Sequence, residues 1–215
     1  MPDKAEGRFV KLPHLYAILD IDLTRAAGRD PSAVASAFFE GGVRLIQIRA
    51  KNLPGGELLA LSRAVVAEAR SVGATVIIND RPDVAVLARA DGVHVGQDDL
   101  PPAAVRRVMP SGILGLSTHT REQLEAALDT PATYVAVGPV FGTATKDTGY
   151  TPVGLEFVRW AAAHSDRPIV AIGGIGLENI REVIAAGAAS AAVISELLRG
   201  DPGTRARDLT ARTAG

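Results

Sequence analysis

A chain of 215 residues that is 47% hydrophobic can bury a sizeable core, and a formal net charge of -1 with acids and bases interspersed argues against a nucleic-acid surface or an anionic membrane patch as its main partner. The absence of cysteine excludes disulfides and thiolate metal sites and suits a reducing cytoplasm. The start, MPDKAEGRFVKLPH, is charged and has no apolar h-region, and no apolar run nears the roughly 20 residues that span a bilayer.

These features lead us to expect a soluble, cytoplasmic protein acting on small molecules, with no nucleic-acid or membrane partner; they leave room for a homo-oligomer. Residues 1–14 read as an N-terminal extension. From Leu15 onward, short β-branched or apolar runs alternate with longer stretches of helical period. In chain order the strand candidates are LYAILD, VRLIQIR, TVIIND, GVHVG, ILGLS, YVAVGP, PIVAIGG and AAVIS, eight in all. They carry few polar residues until their last positions, as parallel strands covered on both faces do, and the strand-then-helix rhythm calls for right-handed crossovers. Eight such units over 15–200 have the size of a lean, single-domain (β/α)8 barrel of the TIM type, with a doubly wound open sheet as the structural alternative.

Helix limits agree with that rhythm. Asp30-Pro31 places a capping acceptor before a first-turn proline, Thr120 with Gln123 suits a capping box, and Gly41-Gly42, Gly73 and Gly187 lie where helices should stop. Residues 201–215 mix turn residues with charges and read as a tail that frays after a short last helix.

In such a barrel, chemistry belongs to the carboxyl ends of the strands, and the polar residues fall there. After the first run, the second carries Gln47, Arg49 and Lys51 at a spacing of two, which puts an amide and two cations on one face. Solvation alone could explain the cations, but not Gln47 between Ile46 and Ile48. The third run closes on Asn79 and Asp80, and the fourth leads into Asp98 and Asp99. Each acidic turn by itself is ordinary turn or cap chemistry; together, carboxylates at adjacent strand ends suit magnesium, which fills its other positions with water and phosphate oxygens. His94, flanked by valines, is either a hydrogen-bonded core histidine or a catalytic one. The fifth run ends in Ser117, Thr118 and His119, where a hydroxyl either orients a substrate or caps the next helix.

The sixth run leads into GPVFGTATKDTGY, longer than the usual strand-to-helix connection of roughly 2–6 residues. It brings the hydroxyls of Thr143 and Thr145 and a third cation, Lys146. After the seventh run, IGGIGLEN lets backbone approach a phosphate, with the amides of a following helix beyond, and the eighth ends in Ile194-Ser195. There is no G-x-S-x-G elbow and no H-E-x-x-H, so hydrolase and metalloprotease readings have no local support. The pattern describes a site for two phosphorylated groups, one a metal-bound diphosphate and the other a monophosphate.

The segments QIRAK, IINDRPDVA, DGVHVGQDDLP, GLSTHT, GPVFGTATK, AIGGI and VIS, one after each successive strand, resemble the thiamine-phosphate synthase (thiamine-phosphate pyrophosphorylase) family from about Leu15 to Leu198. The resemblance implies a transferase of thiamine biosynthesis. It would join 4-amino-2-methyl-5-hydroxymethylpyrimidine diphosphate to a thiazole phosphate with magnesium as cofactor and release diphosphate, and carbon dioxide too when the thiazole is carboxylated. It implies that Gln47, Arg49, Lys51, Asn79, Ser117 and Lys146 meet the pyrimidine diphosphate and that Asp80 and Asp99 hold the metal. Thr143, Thr145, Gly174, Ile194 and Ser195 would then meet the thiazole phosphate. Arg49, Lys51, Ser117 and Lys146 carry the catalytic roles in that reading, in a dissociative mechanism.

One departure is Gly142, where the family commonly has proline before T-x-T-K; Asp98 is not counted as a ligand. Two rivals share the barrel: a thiazole tautomerase using His119 as its acid-base group, and a non-catalytic barrel that senses thiazole or thiamine phosphates.

Overall fold

The structure, a computed structural model, describes residues 11–142 and 149–213. Its strands are β1 (Leu15–Asp20), β2 (Leu45–Arg49), β3 (Thr75–Asn79), β4 (Gly92–Val95), β5 (Ile113–Thr118), β6 (Tyr134–Val137), β7 (Ile169–Ile172) and β8 (Ser190–Val193). They pair in parallel in chain order, and β8 returns to β1 with Leu15 beside Ala191, so the sheet closes into a barrel and the open-sheet alternative falls. Around it run α1 (Ile21–Ala26), α2 (Pro31–Glu40), α3 (Gly55–Ser71), α4 (Pro82–Ala88), α5 (Pro102–Val108), α6 (Arg121–Leu128), α7 (Gly154–His164), α8 (Ile180–Ala185) and α9 (Pro202–Thr213), with a 3-10 turn at Ser195–Leu198. Among the described residues no helix is long and apolar enough to cross a membrane.

The period of two along each strand divides the core into two clusters. Tyr16, Ile18, Leu45, Ile77, Tyr134 and Val170 fill the barrel interior. Leu15, Ala17, Leu19, Ile46, Ile48 and Ile78 point outward and pack with Phe38, Phe39 and Val65 of the helices. Each large apolar side chain buried in this way contributes roughly 1.5–3 kcal/mol relative to exposure. On β5 the inward position at Gly115 is empty of side chain: a Cβ there would lie 2.2 Å from Cζ of Tyr134 and 2.4 Å from Nδ1 of His94. The gap is what admits the Tyr134 ring beneath His94.

Helix limits follow the expected chemistry with two differences. Asp30 accepts from Ala33 N ahead of Pro31, and Thr120 accepts from Gln123 N, but the Gln123 amide oxygen returns to the N–H of His119, one residue before the cap. Residues 202–213 do not fray as expected of a tail. Asp201 accepts from Thr204 N, repeating the Asp-Pro start of α2, and α9 buries Ala206 and Leu209. Its contact with α2 is close, since a Cβ at Gly41 would lie 2.6 Å from Cβ of Ala206.

Candidate active site

At the carboxyl ends of the strands, Gln47, Arg49 and Lys51 line one small cavity of about 80 Å³ together with Asn79, Asp80, Asp99, Ser117 and Ile194. Gln47 is 3% exposed, so solvation does not account for it. Arg49 is ion-paired to Asp20, whose side chain is 3% exposed and which lies beside it in the β1–β2 register. The other Asp20 oxygen accepts from Leu23 N at 3.0 Å and so starts α1. One acid thereby fixes both a helix and the direction of a guanidinium. Sequence reasoning missed Asp20, because its partner is set by pairing across strands.

Asp20→Asn keeps the helix cap but removes the countercharge, and is expected to lower kcat/KM by about tenfold or more by letting the guanidinium wander. Steady-state kinetics check this, and an unchanged kcat/KM would refute the positioning role. Lys51, in turn, is paired to Asp80, and its backbone N–H donates to Asp22 at 3.3 Å.

Asp80 follows β3 with φ 61°, a left-handed conformation that costs an L-residue roughly 1–2 kcal/mol and that aspartate tolerates better than most. Asp99 arrives from the β4–α5 loop, held by the N–H of Gly96 at 2.8 Å. The capping alternative for Asp98 or Asp99 is excluded, because α5 is preceded by Pro101 and has no side-chain cap. The carboxyls of Asp80 and Asp99 line the same small cavity, close enough for each acid to bear on the other's ionisation. Burial pushes the Asp80 carboxyl above its ordinary range; Lys51 opposes that shift and Asp99 adds to it.

Two acids held close in this way suit a shared cation. Among the described residues no group of three or more His, Cys, Asp and Glu is arranged for a metal. The pair therefore fits a hard ion such as magnesium, which draws its remaining oxygens from water and phosphate, better than it fits zinc.

A second cavity of about 730 Å³ opens beside the first and shares Ser117, Ile172, Ala192 and Ile194 with it. Gly174 and Ser195 line it, as do Gly142 and His119. Gly174 adopts φ 64°, and a Cβ on it would lie 2.6 Å from the carbonyl oxygen of Gly142, so only glycine fits that wall. The expected helix does follow the glycine loop, and a side-chain clasp holds the turn between them. Gly176 N donates to Asn179 Oδ1 at 2.9 Å, the Asn179 amide returns to Gly174 O at 3.0 Å, and α8 begins only at Ile180. Asn179, missed in the sequence, clasps the loop.

At the end of β5 the three candidates separate. Ser117 faces both cavities, Thr118 is buried and donates to Ala136 O, and the cap is Thr120. His119 stacks on Tyr150 with ring centroids 4.2 Å apart. Thr143, Thr145 and Lys146 lie outside the described residues.

Two tyrosines that sequence reasoning left unremarked lie under the small cavity. Tyr16 accepts from Nε2 of Gln47, and Tyr134 meets His94, which also meets Ser117. His94 is thus both a hydrogen-bonded core histidine and part of the cavity wall. Burial pushes both phenols well above their ordinary pKa. The folded values exceed the unfolded value of about 10, so the stability from keeping these groups neutral is complete below about pH 10 and is lost as pH rises beyond it. In an alkaline titration of phenolate absorbance, with Tyr16→Phe and Tyr134→Phe as references, neither residue should ionise before the fold melts. Reversible ionisation of either one in the intact protein would contradict this.

The sequence model of the thiamine monophosphate synthase family matches residues 15–197. A thiamine-phosphate synthase of Roseiflexus sp. (strain RS-1) is 44% identical over 200 residues, covering 92% of this chain and 84% of that protein. One from Koribacter versatilis (strain Ellin345) is 43% identical, covering 93% and 95%. Among solved structures, thiamine phosphate pyrophosphorylase from Pyrococcus furiosus superposes with a TM-score of 0.85 at 29% identity, over 94% of this chain and 98% of that one.

Proposed function

Because this chain belongs to the thiamine monophosphate synthase family, we propose that it joins 4-amino-2-methyl-5-hydroxymethylpyrimidine diphosphate to a thiazole phosphate, giving thiamine phosphate and diphosphate. The observation that carries the site assignment is the meeting of Arg49 and Lys51 with the Asp80–Asp99 pair at the barrel mouth, beside a larger glycine-walled cavity. In this reading the small cavity takes the pyrimidine on Gln47, Asn79 and Ser117 and directs its diphosphate to Arg49, Lys51 and Lys146. The larger cavity takes the thiazole phosphate on Gly174, Ile194 and Ser195, with Thr143 and Thr145.

Asp80 and Asp99 would hold a magnesium ion, which when bound supplies neutralisation of charge on the leaving diphosphate. Arg49, already oriented by Asp20, offers a planar fork of donors to phosphate oxygens, and Lys51 adds a compact charge. Both stabilise negative charge that grows as the carbon–oxygen bond breaks. The electron-rich aminopyrimidine bears the resulting methylene cation, and the thiazole nitrogen, anchored through its own phosphate, attacks from contact distance. That step draws on proximity rather than on a protein nucleophile or strong base. With a carboxylated thiazole, carbon dioxide leaves as well. The cysteine-free composition fits a cytoplasmic setting.

The test is to mix protein, magnesium, pyrimidine diphosphate and thiazole phosphate and assay thiamine phosphate and diphosphate. Formation of both in equal amounts is expected. Isomerised thiazole alone would favour a tautomerase, and binding without diphosphate release a sensor.

A further inference from the structure

Beneath the small cavity, five side chains from five strands form one hydrogen-bonded chain across the barrel. Nε2 of Gln47 on β2 donates to the Tyr16 hydroxyl on β1 at 2.9 Å, and that hydroxyl lies 3.1 Å from the Tyr134 hydroxyl on β6. The Tyr134 hydroxyl lies 2.9 Å from Nδ1 of His94 on β4, and Nε2 of His94 lies 2.8 Å from Oγ of Ser117 on β5. The two ends line the cavity, Tyr16 and His94 form part of its floor, and the middle is buried: Tyr16 and Tyr134 are each 1% exposed and His94 8%. The missing side chain at Gly115 makes the link possible, since any Cβ there would occupy the space between Tyr134 and His94.

Counting protons gives the chain a direction. Each phenol has one proton, and burial keeps it there. Tyr16 accepts from Gln47, so its own proton passes to Tyr134, and the Tyr134 proton passes to His94 Nδ1. A protonated imidazole would leave the buried Tyr134 proton without an acceptor, which is costly. A neutral His94 with its proton on Nε2, donating to Ser117 Oγ, gives every donor of the chain an acceptor and turns the Ser117 proton toward the cavity. Gln47 in the same sense offers the cavity its Oε1 acceptor and its second N–H. Reversal would require an amide flip, two phenol rotations, a change of imidazole tautomer and a hydroxyl rotation together.

We propose that this buried chain locks Gln47 and Ser117 in one hydrogen-bonding sense, so that the cavity selects a pyrimidine whose exocyclic amine donates beside a ring nitrogen that accepts, and rejects the 4-oxo counterpart, in which donor and acceptor are exchanged. Tyr16, Tyr134 and His94 are positioning residues in this scheme. The selection rests on the assignment of the pyrimidine to this cavity; the polarity of the chain does not.

Two measurements on the full-length protein test it. In a histidine 15N spectrum of the substrate-free protein, His94 should be the neutral Nε2–H tautomer, and Tyr134→Phe should disturb its signals. In kinetics, kcat/KM for the 4-amino pyrimidine diphosphate should exceed that for the 4-oxo analogue by at least about 100-fold, and Tyr134→Phe and Tyr16→Phe should each reduce that ratio about tenfold or more, with melts showing both variants folded. A loss of structure alone would lower both rates and leave the ratio unmoved. An Nδ1–H tautomer in the wild type, or a ratio unchanged within about twofold in whichever variants fold, would overturn the proposal. A wild type that makes no thiamine phosphate from the amino substrate would overturn the selection through the pyrimidine assignment, while the tautomer would still decide the polarity.

Discussion

Asp80→Asn is expected to lower turnover by on the order of 10²–10³-fold while leaving the melting temperature within a few degrees of the wild type. The two halves of this expectation have separate causes. Turnover falls because one of two acids suited to a divalent ion is gone and the other, Asp99, must hold it alone. Stability holds because asparagine shares aspartate's tolerance of the left-handed conformation at φ 61°. The substitution also removes a carboxyl whose ionised form burial disfavours and whose neighbour is another acid. The lost ion pair is to Lys51, whose side chain is 45% exposed, so its contribution is small. Asp80→Ala should lose turnover to a similar degree and also melt lower, because alanine lacks that tolerance. Steady-state rates over a magnesium series, beside thermal melts, separate the effects; an unimpaired rate in the asparagine variant would remove Asp80 from the site.

The second large effect is on the wall of the wider cavity. Gly174→Ala puts a Cβ 2.6 Å from a backbone oxygen, at a left-handed φ of 64°. Left-handed strain and overpacking together cost about 2–5 kcal/mol. In a chain of this size that corresponds to a fall in melting temperature of roughly 5–15 °C. The loop must also shift to make room, so KM for thiazole phosphate should rise about tenfold or more while KM for the pyrimidine diphosphate stays nearly constant. Separate titrations of the two substrates make the comparison. An equal rise in both constants would show that the two cavities do not divide the substrates as proposed.

Much of the architecture was legible because strand periodicity is local. A spacing of two was enough to place Gln47, Arg49 and Lys51 on one face, and they do share one cavity. The closing polar residues of successive strands marked the mouth for the same reason. Contacts between distant strands were not legible. Asp20 faces Arg49 through the β1–β2 register, and Tyr16, Tyr134 and His94 meet only because barrel closure and the gap at Gly115 bring them together.

The miss at α9 is of another kind. Its Asp201-Pro202 start repeats the signal used at Asp30-Pro31, but the charges around it outweighed the apolar stripe of Ala206 and Leu209 that packs it down. For Asp99 the sequence left cap and ligand open, and geometry removes the cap reading alone: α5 is preceded by Pro101, and the Asp99 carboxyl accepts from the N–H of Gly96 instead.

The central claim is that Asp80 and Asp99 share one divalent ion next to Arg49 and Lys51. Anomalous diffraction from crystals grown with manganese(II) and inorganic pyrophosphate tests it most directly. The account predicts one peak at about 2.0–2.2 Å from an oxygen of each of the two aspartates, with pyrophosphate oxygens completing its shell and reaching Arg49 and Lys51. A peak elsewhere, or pyrophosphate bound with the two carboxyls turned away from it, would contradict the account.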